Sequence, residues 1–236
     1  MKNVFFKYLL EFLVIFLGIL LSFYIDGRVK LNAETENKNQ LLVQLSEVIS
    51  EDLKQLQIID STLFSVEESL SYLIDDLLSK SKASSKELAL NHLNVSGRMS
   101  LSFFPNSGIY KQILSDGAMK LIDAKELRST ISLIYEHNSK RSQAVNRSLD
   151  DFNELFNGYF YPYVQTRTAN EKSKTIYADT KLVYHSISPD YYKATSAFGY
   201  YYGASNLVSN YRSLLDVFKE EYKNVLQLIQ IELNQP

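Results

Sequence analysis

Residues 9–28 read LLEFLVIFLGILLSFYIDGR, and how this stretch is placed decides the fold. Phe12–Ile25 is apolar or small throughout. At 1.5 Å of helical rise per residue it spans only about 21 Å, short of the roughly 30 Å of a bilayer's hydrocarbon. Extending upstream to Val4 gives about 33 Å, which is sufficient. That extension brings Lys7 and Glu11 into the span. No small-residue cleavage site follows, since SFYIDGR is bulky and charged, so a retained anchor is expected in place of a removed signal peptide.

Lys7 and Glu11 are four residues apart and share a helix face. Two readings fit them. Both side chains reach back to the near headgroups, or Glu11 faces another helix, with Gly18 allowing close approach on that side. Glu11, Gly18 and Lys7 are therefore the candidate intramembrane contact. Positive charge is nearly balanced across the span: Lys2 and Lys7 precede it, and Arg28, Lys30 and Lys38 follow among Asp26, Glu34 and Glu36. The expectation is an amino terminus inside and a body outside the cytosol, in the periplasm of a bacterial inner membrane.

Beyond the span, a heptad runs through Leu42, Ile49, Leu56, Leu63, Leu70 and Leu77, with Leu45, Ile59, Val66 and Leu73 at the companion positions and Asp52 interrupting them. Six repeats predict a long helix over about 29–79, packed on helices of its own chain or on a second copy. A break is expected at IIDSTLF, where Asp60 or Ser61 is a ready cap. The polar run SKSKASSKE (79–87) opens an expected loop over about 80–105. Helices are expected over about 107–122 and 124–161, the second opened by an Asp123/Glu126 capping box, and over about 204–234. Pro162 ends the second of these. The 164–188 region reads as an excursion with a short hairpin in KTIYADTKLVYHSI, and Ser188-Pro189-Asp190 as the opening of a helical turn. EHNSKRSQ, in the middle of the third helix, reads as an exposed polar belt.

The predicted fold is thus all-α. A single N-terminal transmembrane helix (1–27) precedes an elongated antiparallel helical bundle (28–236) with a long polar loop and a short hairpin. Only eight glycines and four prolines agree with long helices.

Glu11, Gly18 and the following GILLSFYID resemble the anchor of an uncharacterised family of single-pass membrane-anchored helical proteins common in Bacteroidota-type bacteria. Asp26-Gly27-Arg28 departs from that pattern, where the family tends to have Asn and Trp. A second resembling block falls on Tyr110, Asp116-Gly117, Leu121-Ile122, Glu126-Leu127-Arg128 and Tyr135. The resemblance implies membership and brings no activity with it.

Chemistry is sparse. The absence of cysteine excludes disulfides, thiolate metal sites and thiol nucleophiles. His92, His137 and His185 are far apart and lack metal-ligand spacing. His137 and Arg141 share a face as a surface pair, and the doublets Glu67-Glu68, Asp75-Asp76, Asp150-Asp151 and Glu220-Glu221 point apart on their helices. No phosphate-binding, nucleotide-binding or nucleophile-elbow motif occurs. Neither enzyme activity, metal nor cofactor is expected, and a net charge of −2 gives no field for nucleic acid. The aromatic clusters Tyr159–Tyr163, Tyr191-Tyr192 and Tyr200–Tyr202 pack the end of the bundle or form a binding surface, with Tyr191, Tyr192, Tyr200, Tyr201 and Tyr202 as its candidates. The expected partners are the bilayer and a second copy or another membrane protein. The expected function is structural or interaction-based. A ligand-sensing module working through a partner, or a membrane-perturbing effector, is the alternative.

Overall fold

The structure is a computed structural model that describes residues 2–79, 83–168, 180–187 and 195–234. It is mostly helical. Helix α1 (Lys2–Leu78) runs 77 residues, about 115 Å at helical rise. The expected break at Asp60-Ser61 does not occur. The Ser61 and Thr62 hydroxyls both bond back to the Ile58 carbonyl, which keeps their competition for the backbone inside the helix. Asp60 spends its carboxylate on Arg212 and Lys219 instead of capping.

All of α1 from Phe6 to Glu34 is exposed, and burial begins at Lys38. Every apolar heptad position from Leu42 to Leu73 is in the core, and Leu77 is packed against it. Between Ile25 and Glu34 the helix rises about 14 Å fully exposed, and contact with the body begins with Asn37, which donates to Asp116.

The region expected as loop 80–105 contains a helix, α2 (Ser85–Arg98). Its start is a capping box, the Ser84 hydroxyl accepting from the Glu87 N–H and the Glu87 carboxylate accepting from the Ser84 N–H. Asn94 ties α2 to α1 by donating to the Ser65 carbonyl and the Ser65 and Ser69 hydroxyls. Then come α3 (Gly108–Ser115), a left-handed Gly117 (φ 73°) and a 3₁₀ turn at Ala118–Leu121.

Helix α4 (Lys125–Ser132) continues through a π-helical segment, Leu133–Asn138, into α5 (Ser139–Phe160). The Asp123/Glu126 box is not formed. Ala124 is the N-cap residue, and the orphan N–H groups of Asp123 and Ala124 donate to Glu232 from the far end of the chain.

Strands β1 (Val164–Thr168) and β2 (Thr180–His185) pair antiparallel, so the hairpin recruits residues upstream of the stretch expected to form it. Helix α6 (Thr195–Leu233) begins about nine residues earlier than expected. It lies along α1 in the opposite direction: Lys38 meets Glu232, Asp52 meets Tyr222, and Glu67 meets Arg212. The Ser188-Pro189-Asp190 turn lies outside the described residues.

The polar belt is only half exposed. Glu136, His137, Lys140, Arg141 and Gln143 face solvent, whereas Asn138 and Ser142 are buried with Asn146. Asn138 donates to Glu221, while Ser142 and Asn146 donate to the Phe103 carbonyl. The Phe103 N–H donates to Tyr211, so this loop residue is hung from α5 and α6 by three bonds. Buried polar side chains here satisfy backbone that would otherwise be orphaned.

Two glycines of α6 give opposite expectations. A Cβ at Gly203 would lie 2.8 Å from the Phe152 ring, whereas one at Gly199 meets nothing within 4 Å. Gly203→Ala is expected to destabilise by about 1–2 kcal/mol, overpacking outweighing the gain in helix propensity. Gly199→Ala is expected to stabilise by about 0.5–1 kcal/mol. Urea unfolding of both variants in detergent checks the contrast, and like-signed shifts would contradict this packing of α5 on α6.

Candidate functional site

Three places hold the groups with chemical potential. The first is the exposed part of α1. Among the described residues nothing covers Phe6–Ile25, and Phe12 stacks on Phe16, one turn on. Lys7 and Glu11 are exposed, and a Cβ at Gly18 would meet nothing within 4 Å. An apolar helix surface left bare on all sides demands a non-aqueous neighbour. Where the stalk meets the body, Lys38 and Glu232 form a buried ion pair at 2.9 Å, with side chains only 7% and 1% exposed.

The second is a buried polar cluster at mid-bundle. Asp52, the charge that interrupts the heptad, accepts the Tyr222 hydroxyl at 2.7 Å and the Asn106 N–H at 3.1 Å. Tyr135, from the π segment, approaches the same group and stacks on Tyr110 at 4.8 Å. Tyr110 in turn donates to Glu136. Burial raises the Asp52 carboxyl above its usual range, against the lowering effect of Tyr222 and Asn106, with Glu51 adding repulsion. Burial likewise pushes the Tyr135 and Tyr222 phenols up, so both stay protonated donors. The arrangement of this cluster fixes the register of α1, α6 and the π segment.

The third lies at the end of the body farthest from the stalk. His92 of α2 is 2% exposed and sits flat against Phe156, with ring centroids 4.6 Å apart. Phe160 packs at 3.9 Å and Tyr201 edge-on at 6.3 Å. Among the described residues its Nδ1 has no hydrogen-bond partner. Burial alone drops its pKa from 6.5 to about 3, so the ring is neutral at physiological pH. A cavity of about 160 Å³ adjoins it, lined on the polar side by Ser96, Asn157, Thr166 and Thr180 and on the apolar side by Leu93 and Phe160.

The candidate tyrosines do not share one exposed face. Tyr201 is fully buried in the aromatic cluster, Tyr200 stacks half-buried on Tyr159 at 4.5 Å, and Tyr202 stands outward beside Phe198. Tyr191 and Tyr192 lie outside the described residues. The residue that sequence reasoning passed over is His92. Its neighbours Leu88, Ala89 and Val95 recur at helical spacing and were the available signal. Of the other histidines, His137 is exposed beside Arg141, and His185 Nδ1 bonds Ser85 at 3.0 Å. Among the described residues no three acidic or histidine side chains gather to hold a metal.

Fold and site define a mostly helical chain in which one helix, near the N-terminus, is long and apolar enough to cross a membrane. The model of a family of unknown function (DUF6090) matches residues 11–187, and the chain belongs to that family. The match starts at Glu11 and ends at Ile187, after β2, leaving α6 beyond it. No curated protein and no solved structure matches the chain.

Proposed function

We propose that this protein is a single-pass membrane-anchored interaction module. Its span crosses a bacterial inner membrane, and its body, an elongated antiparallel helical bundle on the periplasmic side, associates with a second copy or another envelope protein. The observation that carries the reading is the continuity of α1. The helix that is bare from Phe6 to Glu34 becomes the central core helix from Lys38 onward, without a break. Pairing of such a span is passed to the body through one continuous helix that has neither Pro nor π-bulge, with Gly18 and Gly27 as its softest points.

Within the bilayer, Glu11 favours a neighbouring helix over lipid, and Gly18, two turns on, leaves room for one. The spacing of seven puts both residues on one face. The basic residues flanking the span, Lys2 and Lys7 before it and Arg28, Lys30 and Lys38 after it, are nearly balanced and leave the orientation to direct measurement.

Because the chain contains no cysteine, single-cysteine scanning of residues 8–25 in native membranes is a clean test. Disulfide-linked dimers are expected to recur every three to four positions, strongest on the face holding Gly18, and to fall several-fold when Glu11→Leu is added. Uniform absence of crosslinks would rule out self-association through the span. A one-sided reporter fused at Pro236 reads the orientation separately.

A further inference from the structure

We propose that the cavity beside His92 is a binding site for a small, uncharged, hydroxyl-rich molecule, a polyol or sugar-like compound of roughly six to ten non-hydrogen atoms. Size comes first. At about 160 Å³ the space resembles the roughly 150 Å³ in which a dry engineered cavity admits benzene. That cavity has apolar walls and needs nothing polar inside. This one does not: the hydroxyls of Ser96, Thr166 and Thr180, the Asn157 amide and the His92 imidazole all line it.

Charge comes second. Among the described residues no Lys, Arg, Asp or Glu lines the cavity, and His92, the wall residue able to take up a proton, is held neutral by its burial. Neither anions nor cations find a counter-charge, and an ion moved into such a place loses its hydration without compensation.

Hydrogen-bonding capacity comes third. A neutral imidazole has one N–H to place and one lone pair to fill, and among the described residues Nδ1 of His92, itself shut off from solvent, has no partner. A hydroxyl both donates and accepts, so a molecule carrying several matches a wall of hydroxyls, an amide and an imidazole in any tautomer. Phe160 and Leu93 supply the apolar patch that the C–H face of such a molecule packs against.

The cavity is bounded by α2, the end of α5 and both strands, so an occupant joins the hairpin to the helices. It lies on the opposite end of the body from the Lys38–Glu232 junction, and the proposal stands independently of how the span pairs.

The test uses the full chain in lipid nanodiscs, labelled with ¹⁵N-histidine, and follows the His92 ring nitrogens during separate titrations with erythritol, xylose, inorganic phosphate and phenol. Saturable displacement of the His92 signals by erythritol or xylose, with none from phosphate or phenol, is expected. Gly97→Leu is expected to abolish it, because the side chain fills the space from a position where, among the described residues, a Cβ meets Thr180 Oγ1 at 3.9 Å and nothing nearer. Gly97→Ala, a milder filling, serves if the leucine variant does not fold, and is expected to weaken the response at least three-fold. Several outcomes overturn the proposal: a response to phosphate or phenol instead, no saturable response to either polyol, or an unchanged response in both glycine variants.

Discussion

Glu232→Ala is expected to be the most damaging single substitution in the body, costing about 3–5 kcal/mol of unfolding free energy. Its carboxylate has three donors. Oε1 accepts Lys38 Nζ at 2.9 Å and the Asp123 N–H at 2.9 Å, and Oε2 accepts the Ala124 N–H at 3.0 Å. Truncation leaves a buried ammonium without its counter-charge and two backbone donors unsatisfied at the start of α4. Lys38→Met differs in kind. It removes the cation but leaves the carboxylate held by two N–H groups at a helix N-terminus, where negative charge is favoured. Its expected cost is smaller, about 1–3 kcal/mol. Urea unfolding of the full chain in detergent at pH 7 measures both, and equal losses would refute the claim that Glu232 serves as the cap of α4. The pH dependence has a definite sign. Burial opposes ionisation of Glu232, but Lys38 and the two N–H groups outweigh it and hold the carboxyl below its ordinary value. A depressed acid contributes stability above its unfolded pKa that is lost as pH falls through the folded one, so this contribution disappears only below about pH 4.3.

That latch also shows where sequence reasoning stops. The heptad from Leu42 to Leu73 was legible because every member but Asp52 is apolar, and the core then follows from burying one stripe. Asp123 with Glu126 had the right local spacing for a capping box, yet the donors were claimed by Glu232, more than one hundred residues away. Local pattern cannot see a competitor that distant in sequence. The stripe on α5 looked interrupted at EHNSKRSQ for a related reason. Its middle members are Asn138, Ser142 and Asn146, polar side chains that are inside because Glu221 and the Phe103 carbonyl need them. A hydrophobicity count scores such residues as exposed. Helix α2 was a different matter, since Ser84 and Glu87 form a capping box that the sequence displayed openly, hidden only by the low-complexity run around it. The apolar run that holds Lys7, Glu11 and Gly18 was readable from hydropathy. The His92 cavity was not, because it depends on α2, α5 and both strands meeting.

Wild-type protein is expected to lose stability on mild acidification in a way that His92→Phe does not. The folded pKa of His92 is about 3, against 6.5 for the free side chain. Over that interval the unfolded chain binds a proton that the folded chain refuses, so stability falls as pH drops from about 6.5 towards 3. At 1.36 kcal/mol per pKa unit the difference accumulates to about 2–3 kcal/mol by pH 4.5 and about 4–5 kcal/mol near pH 3. Carboxylates complicate any single curve. Glu232 and Asp60 are depressed and add acid lability lower down, whereas Asp52, Asp150 and Glu221 are raised by burial and act in the opposite sense. Comparison with His92→Phe cancels all of them, because none of these groups lines the cavity or stacks on the ring. Phenylalanine belongs in this cage: it keeps the stacking on Phe156 and Phe160, and the adjoining cavity receives the extra ring carbon. At pH 8 the variant is expected to match or exceed the wild type, since it also removes a buried nitrogen without a partner. The gap is then expected to widen steadily below pH 6.5, measured by denaturant midpoints at half-unit steps. Parallel pH profiles for the two proteins would mean that the imidazole titrates in contact with water, and that the end of the body around α2 and the hairpin is open where the structure closes it.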